Sequence, residues 1–124
     1  MKPIINELIL SGKPWQAEQL LNPMLSQLSS DSERWLTLIL ADKSDTRTLH
    51  WLKSCDLNHD KVQIFSSSNT NQTLELTRKA LASGTSHTVI SWLGDLDKGW
   101  LGKLESAAQN GQCQGLAIRS RQVA

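Results

Sequence analysis

Short, almost wholly apolar runs alternate with segments of helical period along this chain, and that alternation restricts the fold more than any other feature. Trp35-Leu36-Thr37-Leu38-Ile39-Leu40 is the clearest run. Its lack of polar alternation marks a strand covered on both faces. Residues 62–65, 88–93 and 116–118 repeat the pattern, and residues 4–10 predict a further strand or an extended arm. Between the runs lie helical faces. Leu20, Leu21, Met24, Leu25 and Leu28 form one, with Asn22-Pro23 placed as cap and first-turn pair. Leu49, Leu52 and Cys55 line a second, behind Ser44 and Asp45 as caps. A third runs from Asn69 through Leu74, Thr77 and Leu81, with Gly84 where a left-handed residue ends a helix. The fourth gathers Trp100, Leu101, Leu104, Ala107 and Ala108 and ends near Gly111. Strand and helix in strict alternation mean βαβ units with right-handed crossovers. The expected fold is a three-layer α/β domain spanning residues 1–124, its sheet mostly parallel and its helices on both faces.

Composition narrows the class of function. Thirteen Lys and Arg against twelve Asp and Glu leave a net charge of +1, which argues against a nucleic-acid coat protein or a polybasic membrane binder. No apolar run approaches the ~20 residues of a membrane-spanning helix. Residues 1–10 carry Glu7 inside their apolar stretch and no small-residue cleavage site, so they do not read as a signal peptide. Cys55 and Cys113 are far apart and form no CxxC pair, which predicts two reduced thiols. A soluble cytoplasmic protein is expected.

The parts of a nucleotide enzyme are missing. The one candidate phosphate loop, Ser11-Gly12-Lys13-Pro14, has Glu7 where the first glycine belongs and Pro14 where Ser or Thr should hold magnesium. Proline also removes a backbone N–H from the cradle. The strand at 88–93 ends near Trp92 rather than in a metal-positioning Asp, and Asp95 and Asp97 suit helix capping. His50, His59 and His87 share no metal-ligand spacing. No catalytic group, cofactor site or metal site is predicted, and an ATPase is the reading these absences disfavour.

Five tryptophans accompany one Phe and no Tyr. Trp35, Trp92 and Trp100 fit core positions. Trp51 lies roughly 100° round the helix from Leu52, at or outside the edge of the buried stripe. An exposed Trp anchors interfaces, and lying flat over a neighbouring loop is the equal alternative. Arg34 directly precedes the first apolar strand and Lys61 the next. In a parallel sheet both charges occupy its amino-terminal edge, and such a pair suits a protein surface bearing carboxylates.

Several stretches, taken in order, resemble the SulA family of SOS-induced bacterial cell division inhibitors. They are Arg34-Trp35-Leu36-Thr37-Leu38, Trp51 followed by Lys61-Val62, Ser86-His87-Thr88-Val89-Ile90-Ser91-Trp92-Leu93, and Ala107-Ala108 ahead of Gly111. The similarity runs from about Ile5 to Arg119. It implies a RecA-like core that has lost its nucleotide-binding parts. It also implies binding to FtsZ, the tubulin-like GTPase of the division ring, on the face bearing its synergy loop. Covering that face stops head-to-tail growth, and GTP hydrolysis falls with it. The family's inhibition residues fall here on Arg34, Ile39, Trp51 and Lys61, with Ile39 expected to support the fold rather than touch FtsZ.

The resemblance further implies a homodimer. Two departures stand out: the N-terminal segment is shorter than is common in the family, and the C-terminus lacks the His-ending tail that presents enterobacterial relatives to the Lon protease. Lon as a partner is therefore not carried over on that signal. The competing reading is an ImuA-like accessory of damage-induced mutagenesis that binds a translesion polymerase partner; the short length and the Arg34/Trp51/Lys61 set favour the first.

Overall fold

The computed structural model describes residues 5–11, 23, 34–40, 46–54, 59–67, 69–93 and 97–121. The predicted helix at 20–28, apart from Pro23, the caps Ser44 and Asp45, and Cys55, Gly94 and Asp95 lie outside the described residues. Five strands carry the fold: β1 (Ile5–Ser11), β2 (Trp35–Leu40), β3 (Val62–Ser66), β4 (Ser86–Leu93) and β5 (Gln114–Arg121). Helix α1 (Thr46–Ser54) joins β2 to β3 through a 3-10 turn at His59–Lys61, α2 (Thr70–Ala82) joins β3 to β4, and α3 (Lys98–Gly111) joins β4 to β5.

Every strand pair is parallel, and the spatial order is β1-β5-β4-β2-β3. The chain steps outward from β2 to β3, and α2 then carries it back across β2 to β4. A right-handed crossover that reverses direction must change faces, which puts α1 on one side of the sheet and α2 with α3 on the other. The amino-terminal segment is a strand, not an arm, because Ile5 through Ser11 pair with Gly115 through Arg121. β5 is longer than its apolar centre suggests: Gln114 and Arg119 hold backbone pairs with β4 although their side chains give no apolar signal.

Alternation along β2 sorts the two cores. Leu36, Leu38 and Leu40 join Ile90, Trp92 and Ile118 against Trp51 and Leu52 of α1. Ile39 faces the other way, with Val89, Leu93 and Ala117 against Leu74 and Leu81 of α2 and Leu104, Ala107 and Ala108 of α3. On that second face buried hydroxyls also pair, α2 with the sheet side and strand with strand. Thr77 bonds Ser91 at 2.7 Å, Thr37 bonds Ser86 at 2.6 Å, and Ser67 bonds Thr73. All six residues are buried.

Local signals set the helix ends. Asn69 accepts from the Gln72 N–H at 2.9 Å, and Asp97 accepts from the Trp100 N–H at 2.8 Å, each satisfying a first-turn donor. Gly84, at φ 78°, occupies the left-handed position past α2. α3 ends at Gly111, as expected, and the left-handed role there falls to the next residue, Gln112, at φ 50°. Gly111 is required for another reason: a Cβ there would collide with the Leu81 carbonyl oxygen, so its absence lets α3 close onto α2. Among the described residues, no helix is long and apolar enough to cross a membrane.

Candidate functional site at the amino edge of the sheet

Because the sheet is parallel, its amino-terminal edge collects the residues that enter β2, β3 and β4. Arg34 and Lys61 both lie there, since Leu36 pairs with Val62 and each cation sits just ahead of its strand. Between them stands Trp35, half-buried, its N–H bonded to the Thr85 carbonyl at 2.9 Å. The Lys61 ammonium lies 5.5 Å from the centre of the Trp35 ring, within range of cation–π attraction.

Arg34 reaches the other way. Its guanidinium donates to the carbonyls of Gly111 at 3.2 Å and Gln112 at 2.8 Å, at the carboxyl end of α3. α3 has no basic residue in its own last turn, so Arg34 supplies the positive charge that end favours. The same neighbourhood holds Cys113, a free and buried thiol. Burial pushes its pKa up to about 11, while the nearby Arg34 charge and a backbone hydrogen bond at Val89 pull it down.

Trp51 is not at this edge, and the structure corrects the expectation that it lies at or outside the limit of the buried stripe. It is only 6% exposed and meets Trp92 edge to face, with ring centres 6.4 Å apart. Leu40, Trp92 and Ile118 form a sheet surface wide enough to take both Trp51 and its neighbour Leu52. Trp92 follows Ser91, the partner of Ile39, so this contact sits at the level of Leu40. That is about 13 Å along the strand from Leu36. Ile39 is fully buried on the opposite face from Trp51. Arg34 and Lys61 therefore share one edge of the sheet, with different partners, while Ile39 and Trp51 belong to the two cores behind them.

Sequence reasoning misses two features, one at this edge and one about 10 Å along the strands from it. Trp35 fits a core position in the sequence yet carries Lys61 on its ring. Phe65, the exposed large hydrophobic side chain among the described residues at 42%, ends an apolar run that reads as buried. Its alternation with Ile64, which packs on the α1-side core, was the available signal.

Among the described residues, no group of three or more His, Cys, Asp and Glu assembles to hold a metal. His50 is exposed, and His87 Nδ1 lies 2.9 Å from the Thr88 hydroxyl. Residues 12–14 of the candidate phosphate loop lie outside the described residues. The edge offers cations, an aromatic ring and backbone, a combination suited to recognition of a carboxylate-bearing surface.

The family model for the cell division inhibitor SulA matches residues 3–115. A cell division inhibitor SulA of Pseudomonas aeruginosa is 41% identical over 115 residues, covering 92% of this chain and 70% of the relative. One from Yersinia pestis is 34% identical over 116 residues, covering 94% of this chain and 67% of that protein. The crystal structure of SulA from Pseudomonas aeruginosa superposes with a TM-score of 0.84 at 39% identity, over 97% of this chain and all (100%) of that one.

Proposed function

The chain belongs to the SulA family of cell division inhibitors, and from that premise we propose that it acts in the SOS response by binding FtsZ. It covers the synergy-loop face of an FtsZ subunit and so prevents the next subunit from docking. Filaments stop growing because a head-to-tail interface continues only while both complementary faces are free. GTP hydrolysis and septum formation fall as consequences, and this chain performs no catalysis. It acts in the cytoplasm, as a homodimer in its resting form.

The observation that carries the reading is the placement of Arg34 and Lys61 at one sheet edge within a family-matched chain. Lys61 meets acidic groups of FtsZ directly. Arg34 contributes through its charge and through its hold on the end of α3. Trp51 and Ile39 support the cores that position the edge.

The test is pelleting of GTP-assembled FtsZ from the same organism while this protein is titrated in, with phosphate release followed in parallel. Pelleting and GTPase activity should fall together, near one inhibitor per FtsZ. Unchanged filaments in the presence of folded protein would remove the reading.

A further inference from the structure

With Trp51 buried, the candidate edge needs another source of apolar contact area, and the molecule carries one beside it. A groove of about 240 Å³ opens beside α2 and runs from Thr85 and Ser86 at the amino-terminal edge, past Thr37 and Gln63, to Phe65 near the carboxyl end of β3. Phe65, Leu76 and Ala80 supply apolar walls, Thr85 forms part of the rim, and Gln63 brings an amide. The groove is continuous with the edge, because Thr85 accepts the hydrogen bond from Trp35, whose ring lies under Lys61. Phe65 pairs with Ile39 across β2 and β3, and so projects on the α2 side of the sheet.

Size and charge limit the occupant. The groove is smaller than the roughly 300–1,000 Å³ of sites built for small molecules. It suits a single large side chain. Lys79 lines one wall and Lys61 stands past Trp35, while no carboxylate lines it among the described residues. Asp60, beside Lys61 in sequence, is exposed and is not part of the lining. An exposed Phe next to a concave apolar wall, flanked by lysines, has the composition of an interface centre with a polar rim.

We infer that the Phe65 groove is the apolar half of the partner surface, and that it receives a large apolar side chain from a segment of FtsZ that also presents a carboxylate toward Lys61 and Lys79. The inference rests on the FtsZ reading above. It transfers the anchoring role from Trp51 to Phe65 and the groove wall.

Two variants probe it in the pelleting assay: Phe65→Ser, which removes an exposed ring, and Ala80→Glu, which keeps a strong helix former while placing a carboxylate on the groove wall. Circular dichroism melts establish that each is folded. With wild-type protein inhibiting, each folded variant should need at least about tenfold more protein for half-inhibition, the scale of a lost interface anchor. Inhibition by folded Phe65→Ser at the wild-type concentration would overturn the groove and leave FtsZ binding standing. Failure of the wild-type protein to inhibit would overturn both. Sedimentation velocity covers the remaining occupant: if Phe65→Ser weakens self-association but not FtsZ inhibition, the groove holds a second copy and the inference is wrong.

Discussion

At the scale of single residues, Arg34 shows how one side chain can belong to both the fold and the site. Its two bonds end on Gly111 and Gln112, 77 and 78 residues away in sequence. Hydrogen bonds from a charged donor contribute about 1.5–3 kcal/mol, and partial exposure lowers that figure here. Arg34→Ala should therefore destabilise the protein by roughly 1–2 kcal/mol in urea titrations, with Arg34→Lys intermediate because an ammonium lacks the guanidinium fork. An inhibition assay on Arg34→Ala is informative only beside that stability measurement. Cys113 yields a prediction in pH. Its folded value of about 11 lies above the ordinary 9.0. Below about pH 9 both states keep the proton, and the thiol contributes no pH dependence. As pH rises from about 9 to 11 the unfolded chain loses a proton that the native state retains, so stability falls. Cys113→Ala should remove up to roughly 2–3 kcal/mol of that decline. Urea midpoints of both proteins at about pH 8 and about pH 10.5 measure the difference in slope, from which any cavity left by the substitution cancels.

At the scale of elements, α2 and α3 carry the side of the sheet on which the groove opens, and their contact depends on Gly111 but not on Gly102. Gly111 abuts the Leu81 carbonyl, whereas a Cβ on Gly102 would meet nothing within 4 Å. Gly111→Ala must push the helices apart and should cost about 1–3 kcal/mol, as overpacking does. Gly102→Ala, in the same helix, should stabilise by about 0.5–1 kcal/mol by removing backbone freedom from the unfolded chain. Thermal melts of the pair separate the two effects, and equal shifts would contradict the packing. The buried hydroxyl pair Thr77–Ser91 fixes where α2 rests on β4. Thr77→Val strands a buried Ser91 hydroxyl and should cost about 1–3 kcal/mol, while adding Ser91→Ala should recover part of that loss. This interface was only half legible in the sequence. Leu74 and Leu81 announced the buried face of α2 by their period, and Asn69 announced its start. Thr73 and Thr77 share that face, but a polar residue at a core position declares its partner only after the strands are ordered.

At the scale of the whole molecule, the alternation of periods was enough to predict parallel β/α layers, because each apolar run is short and each helical face is one-sided. The order β1-β5-β4-β2-β3 was not legible: a step outward followed by a crossover back depends on competition among all five strands. The site divided in the same way. Arg34 and Lys61 could be placed at one edge from strand starts alone, since parallel pairing fixes which end they share. Trp51 could not be placed, because a helical wheel gives an angle but not the width of the surface the helix meets. This difference separates residues that support the edge from those that form it. Trp51→Ala empties a buried ring position against Trp92 and should cost about 3–5 kcal/mol, with inhibition lost through unfolding. Trp51→Phe retains most of the ring contact and should keep both the fold and inhibition. Lys61→Ala loses a cation–π contact of about 0.5–1 kcal/mol, so its melt should shift little, yet inhibition should need at least about tenfold more protein. Melting curves and FtsZ pelleting on these three variants decide the matter. A folded Trp51→Phe that fails to inhibit would return Trp51 to the contact surface, and a Lys61→Ala that inhibits like wild type would take Lys61 off it.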